Sequence, residues 1–152
     1  MKALISKIES SHAGYRVAQV VTDDQTFPVS SYLFWVNCDD DVEPDQFWYD
    51  PTDQRIKPKP PVTNNIYEYI PVNSVNNDIT LVVHGTYSNV TILSQPSHGE
   101  VMTTGCSIFY TPNKEYVGED EFVYTTMNVG GISNTATVNV IVSTSSTSTE
   151  IL

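Results

Sequence analysis

Apolar and polar positions alternate with a period of two along most of the chain, and turn residues interrupt the alternation every several residues. This is the pattern of short, half-buried strands. The clearest instance is the last, Thr135-Ala136-Thr137-Val138-Asn139-Val140-Ile141-Val142, with a small or apolar side chain at every second position. No window carries a convincing 3.6-residue period. Met1–Glu9 fits a helix or a strand equally well. Val, Thr, Tyr, Ile and Phe fill the apolar positions, which is strand composition.

Read in order, the first region predicts strands at Ala3-Leu4-Ile5, Tyr15–Val21, Phe27–Val29 continuing into Tyr32–Val36, Gln46–Tyr49 and Arg55–Lys57. Turns fall at Ser10–Gly14, Asp23-Asp24-Gln25 and Asp50-Pro51-Thr52-Asp53; in the last, Asp accepts backbone bonds and Pro presets φ. Cys38–Asp45 reads as an acidic, solvated loop. The expected product is an antiparallel meander with Phe34, Trp35, Phe47 and Trp48 at its centre. Lys57-Pro58-Lys59-Pro60-Pro61 then favours extended polyproline geometry. It sets a boundary between a module at 1–57 and a second module at 62–142, with 58–61 as linker.

The second module predicts seven strands: Ile66–Val72, Thr80–Val83, Asn89–Leu93, Glu100–Met102, Ser107–Tyr110, Glu121–Thr126 and Thr135–Val142. Short strands separated by a turn signal every several residues describe a β-sandwich. Phe122 and Tyr124, two apart, share one face. Gly99 and Gly118 suit positive-φ turns. The Ser/Thr-rich tail, 143–152, cannot bury a core and is expected to be disordered alone. The fold class is therefore all-β: a small antiparallel N-terminal module followed by a sandwich.

Charge narrows the functions. The chain has 152 residues, 18 acidic and 7 basic, for a formal charge of −11. Neither half presents a cationic surface, so nucleic acid and anionic membranes are not expected partners. No stretch has the length and hydropathy of a membrane span. The residues around Lys2 and Lys7 lack the apolar core of a signal peptide, so synthesis and initial residence in the cytoplasm are expected. Cys38 and Cys106 lie in different modules and lack metal-ligand neighbours, so free thiols are expected.

Candidate chemistry is sparse. His12, His84 and His98 are far apart, and no P-loop, dinucleotide glycine motif, GxSxG or HExxH occurs. No enzyme activity, cofactor, metal or catalytic residue is expected. Asp39-Asp40-Asp41-Val42-Glu43-Pro44-Asp45 lacks the ligand spacing and the Gly of a calcium loop. The aromatic side chains of the first module read first as its core.

Asn77-Asp78, Gln95-Pro96-Ser97-His98-Gly99, Tyr110-Thr111-Pro112-Asn113, Gly118-Glu119-Asp120-Glu121-Phe122-Val123-Tyr124 and Thr135–Val140 follow one another in this order. Together they resemble the bacterial immunoglobulin-like and cadherin-like repeats of large adhesins. Some such repeats hold calcium between loop carboxylates. Here Ile79-Thr80 follow Asn77-Asp78, and Asn128 stands where Asp is common, so no calcium site is carried over. Met1–Ile5, Gly14–Val20, Leu33–Cys38 and Gln46–Pro51 resemble an N-terminal region of marine bacteriophage proteins.

The two resemblances together imply a virion structural protein, made in the host cytoplasm and released by lysis. The expected role is capsid decoration or cement. The alternatives are a tail or fibre component that binds host-surface glycans, and a carbohydrate-binding module. Expected partners are other virion proteins of capsid or tail and further copies of the chain, with host glycans in the second reading. Tyr15, Arg16, Phe34, Trp35, Phe47, Trp48 and Tyr49 are the expected assembly anchor, and the sandwich is the displayed part.

Overall fold

The protein is all-β. A computed structural model describes residues 1–11 and 14–144. The expected Ser10–Gly14 turn falls partly, and the tail from 145 onward wholly, outside the described residues. Among the described residues the only helical element is a 3-10 turn at Asp23–Gln25. The chain divides into two compact units, one of Met1–Pro60 with Val129–Gly131 and the other of Pro61–Asn128 with the chain from Ile132.

In the first unit, β1 (Lys2–Ser11), β2 (Gly14–Val21), β3 (Leu33–Asn37), β4 (Phe47–Asp50) and β5 (Arg55–Pro58) form one antiparallel sheet. Its order is β3-β1-β2-β4-β5. The expected meander is corrected here: the third strand returns to the outer edge of β1 instead of pairing with β2. Met1–Glu9, ambiguous in the sequence, is strand. Phe27–Val29 is not: Pro28 has no N–H to give a ladder, and the Phe27 carbonyl instead accepts the Trp35 indole N–H at 2.9 Å.

The pairing fixes which side chains face the core. Ala3 opposes Val36 and Ile5 opposes Phe34 on one side; Ile5 opposes Val17 on the other. Ala3, Ile5, Val17 and Val42 are buried, with Tyr15, Phe34, Val36, Phe47, Tyr49 and Ile56 packed against them. Val42 belongs to the acidic loop. It is the one residue of Asp39–Asp45 that the core takes in, so it pins an otherwise exposed segment.

In the second unit, β7 (Ile66–Pro71), β10 (Asn89–Ser94), β13 (Gly118–Asn128) and β15 (Ala136–Ser143) form a sheet in the order β10-β13-β15-β7. The β15–β7 pair is parallel and the others antiparallel. β14 (Gly131–Ile132) pairs with β13. β8 (Asn77–Ile79), β11 (Gly99–Thr104) and β12 (Ser107–Pro112) form the facing sheet, and β6 (Val62–Thr63) pairs with β9 (Val83–His84). Between the sheets lie Ile66, Ile79, Ile108, Tyr110, Phe122, Tyr124, Val138 and Val140, all buried.

One strand expectation is corrected. Of the expected strand Thr80–Val83 only Val83 pairs, as the start of β9; the pairing to β12 falls on Asn77–Ile79, opposite Tyr110–Ile108. The Thr80 N–H donates to the Glu68 carboxylate at 3.3 Å, outside any ladder. Gly99 is also corrected. Its φ is not positive, and its need for glycine is spatial: an added Cβ would lie 2.5 Å from the Tyr110 ring. Gly118 does have positive φ, at 148°.

Candidate functional site

The seven expected anchor residues separate by strand parity. Successive side chains on a strand point to opposite faces. Tyr15, Phe34, Phe47 and Tyr49 fall on the core face, where Tyr49 meets Phe34 edge-on at 5.2 Å and stacks near Tyr15 at 6.4 Å. Arg16, Trp35 and Trp48 fall on the other face. The sequence reading that buried both tryptophans is therefore corrected: each is only half-buried. Trp35 opposes Leu4, and Trp48 opposes Arg16 and Lys57. Phe27, 49% exposed, packs edge-on against Trp35 at 5.4 Å. Lys59 Nζ lies 5.1 Å from the centre of the Trp48 ring, within cation–π range.

Most cations of this module are engaged at home. Arg16 donates to Asp45 at 2.6 Å and to Glu9 at 2.6 Å. Those bonds hold its guanidinium above its ordinary pKa and hold the Asp45 carboxyl below its own. Lys57 reaches Asp50 at 2.8 Å and Asp53 at 2.6 Å. That lysine, with the Thr52 N–H, lowers Asp50 to about 2. Lys2 donates to Asn37. What this face offers a partner is aromatic surface and one exposed cation, Arg55, which shares the parity of Lys57 and Trp48.

In the sandwich, the motif segments singled out in the sequence meet at one residue. Asp120 is buried, and its carboxylate accepts from the Ser97 N–H at 2.9 Å, the His98 N–H at 3.0 Å and the Tyr110 hydroxyl at 2.9 Å. The Glu121 N–H adds a fourth bond at 3.0 Å. The Asn113 N–H closes on the His98 carbonyl at 2.8 Å. His98 stacks on Tyr116 at 4.2 Å, and the Tyr116 hydroxyl donates to the Glu119 carbonyl. The Q-P-S-H-G turn, the Y-T-P-N turn and the G-E-D-E-F-V-Y strand are thus one knot tied around a carboxylate. Burial first, and Asp120 second, push the Tyr110 hydroxyl well above its ordinary pKa; burial raises Tyr124 to about 12. Sequence reasoning missed Asp120, though its parity with Phe122 and Tyr124 was a usable signal.

The outer face of the same sheet carries two rows in register. Glu121, Asn139 and Tyr67 form one across β13, β15 and β7; Glu119, Ile141 and Tyr69 form the next. An open depression of about 310 Å³ is lined by Tyr67, Glu119, Glu121, Asn139 and Ile141 of these rows and bordered by Ser97 and His98; Tyr69 lies outside it. Asn128, in place of an acidic residue, donates its amide to the Thr86 carbonyl at 3.0 Å.

Two β-sheets facing across one core, with a closing strand that pairs in parallel with the first long strand, define an immunoglobulin-like sandwich. The chain belongs to the bacterial Ig domain family, which matches residues 58–141. The match begins where the N-terminal sheet ends. Over 77 residues the chain is also 35% identical to "Protein GAMETE EXPRESSED 2" of Arabidopsis thaliana. The alignment covers 51% of this chain and 8% of that protein, so the chain spans a small fraction of this relative's length.

Proposed function

We propose that this chain is a non-enzymatic virion structural protein, a capsid decoration protein whose N-terminal module attaches and whose bacterial Ig domain is displayed. The observation that carries the reading is the unequal packing of the two units. The sandwich closes a full core between its sheets. The N-terminal module has one sheet, six buried apolar residues, four of them in one core cluster, and a second face on which Phe27, Trp35 and Trp48 remain partly open. A module of roughly 60 residues buries little surface, and a partner on that face adds stability by mass action. The Ig domain is compatible with a structural, adhesion-type role at a surface. The virion setting rests on the resemblance of the N-terminal segments to phage proteins.

The anchor is now narrower than seven residues. Tyr15, Phe34, Phe47 and Tyr49 hold the module together, Arg16 is paired within it, and Trp35 and Trp48 are the contact residues. Rebinding of the full chain to particles stripped of it is the test. The Trp35→Ser/Trp48→Ser variant should stay folded by circular dichroism and fail to attach, while Tyr67→Ala/Tyr69→Ala attaches normally. The reverse pattern would place attachment on the sandwich.

A further inference from the structure

The two rows on the outer face of the sandwich make a repeated unit. Each sets a carboxylate on β13 and a tyrosine on β7 either side of β15. Across two strand spacings the separation is about 9.5 Å, and the rows repeat every about 6.5–7 Å along the strands. Tyr67 and Tyr69 are 71% and 65% exposed, and Glu119 and Glu121 are exposed too. The even positions of β7, Ile66 and Ile70, already supply the core, so burial within the sandwich does not require these tyrosines.

The charge of the face is uncompensated. Among the described residues no Lys or Arg pairs with Glu119 or Glu121. The sole Lys or Arg between 61 and 152 is Lys114, whose Nζ sits 3.9 Å from Glu115. Asp120 between them points inward and spends its acceptors on the Ser97–His98 turn and Tyr110, so it adds negative charge here without being a ligand for an occupant. An occupant that uses the face must bring positive charge and a stem able to lie against a phenol ring. Lysine and arginine side chains have both properties.

We infer that this face is a docking site for an extended, lysine- or arginine-bearing segment of a partner protein, with basic residues at alternate positions. An extended segment repeats its side-chain direction every about 6.5–7 Å, the same interval as the rows. Lying along β15, it sets one cation between Glu121 and Tyr67 and the next between Glu119 and Tyr69. A second copy of this chain offers Arg55, Lys57 and Lys59 at alternate positions, but it is a poorer occupant: Lys57 is held by Asp50 and Asp53 and Lys59 lies against the Trp48 ring, so two of the three cations are already engaged. Nucleic acids and anionic glycans are repelled, and a neutral glycan donates hydroxyls to the carboxylates but leaves their charge uncompensated. The inference does not need the virion setting.

The test uses the full chain and fluorescein-labelled peptides in anisotropy titrations at low salt. The probe is Thr-Lys-Thr-Lys-Thr-Lys-Thr. The controls are a peptide of the same composition with its lysines contiguous and one with glutamate for lysine. The alternating peptide should bind best, and salt should weaken it as exposed charges are screened. Glu119→Gln/Glu121→Gln and Tyr67→Ala/Tyr69→Ala should each reduce affinity by about tenfold. Glu115→Gln, which removes one charge elsewhere, should have little effect. Equal binding by all variants, no preference for alternate spacing, or no binding by the alternating peptide would overturn the site. So would capture of a neutral polysaccharide such as dextran or mannan that the tyrosine variant loses and the glutamine variant keeps.

Discussion

Phe122→Ala is expected to remove about 3–5 kcal/mol from the stability of the sandwich. The side chain is fully buried at the middle of β13 and stacks on Tyr110 across the core, ring centres 6.2 Å apart. Its β15 partner is Val138, also fully buried. The surrounding side chains are held by strands on both sheets, so the space left behind collapses poorly, and the cavity cost adds to the lost transfer energy. Urea unfolding followed by near-ultraviolet circular dichroism of the tyrosines reads the effect. The second unit holds Tyr67, Tyr69, Tyr87, Tyr110, Tyr116 and Tyr124 and no tryptophan. Tryptophan fluorescence from Trp35 and Trp48 follows the first unit separately. A loss below about 1 kcal/mol would mean that Phe122 is not a core residue.

Asp120→Ala comes next, at about 3 kcal/mol. The change removes an acceptor shared by three backbone N–H groups and the Tyr110 hydroxyl. Buried donors without an acceptor cost more than the bond was worth when made. Asp120→Asn keeps the volume but replaces one acceptor oxygen by a donor facing other donors, so it should recover less than half of the loss. Tyr110→Phe deletes one bond of the same knot and should cost about 1 kcal/mol. Combined with Asp120→Ala it should add less than its own value, because the two residues share one network. Full additivity in that double-mutant cycle would show that Asp120 does not organise the turn.

These two residues show what was legible in the sequence. Phe122 and Tyr124 were readable because they sit two apart in a stretch that alternates from Gly118 to Tyr124, before Thr125 breaks the pattern, and β15 alternates cleanly from Ala136 through Val142. Asp120 sits at the same parity, yet in the run Glu119-Asp120-Glu121 it reads as one of three solvated acids. Only the arrival of the Ser97–His98 turn separates it from its neighbours. The N-terminal module was harder for the opposite reason. Leu33-Phe34-Trp35-Val36 is apolar at every position, so no parity signal says which face is inside. The pairing of Ile5 with Phe34 and Ala3 with Val36 decides it, and that pairing depends on β3 returning to β1. Counting aromatic residues placed the tryptophans at the centre; the register moves them to the other face. On β7 the exposed Tyr67 and Tyr69 alternate with Ile66, Glu68 and Ile70, yet their alignment with Glu121 and Glu119 passes through β15 and is visible only in three dimensions.

Where the chain resides separates these roles. Quantitative mass spectrometry of purified particles, with the shell protein as internal standard, measures this directly. A decoration protein predicts that the chain co-purifies with particles in a fixed ratio to the shell protein and leaves with the shell when tails are sheared away. A chain that travels with the sheared tails would make it a tail component. A chain absent from purified particles and recovered from the cell envelope would contradict the virion reading altogether.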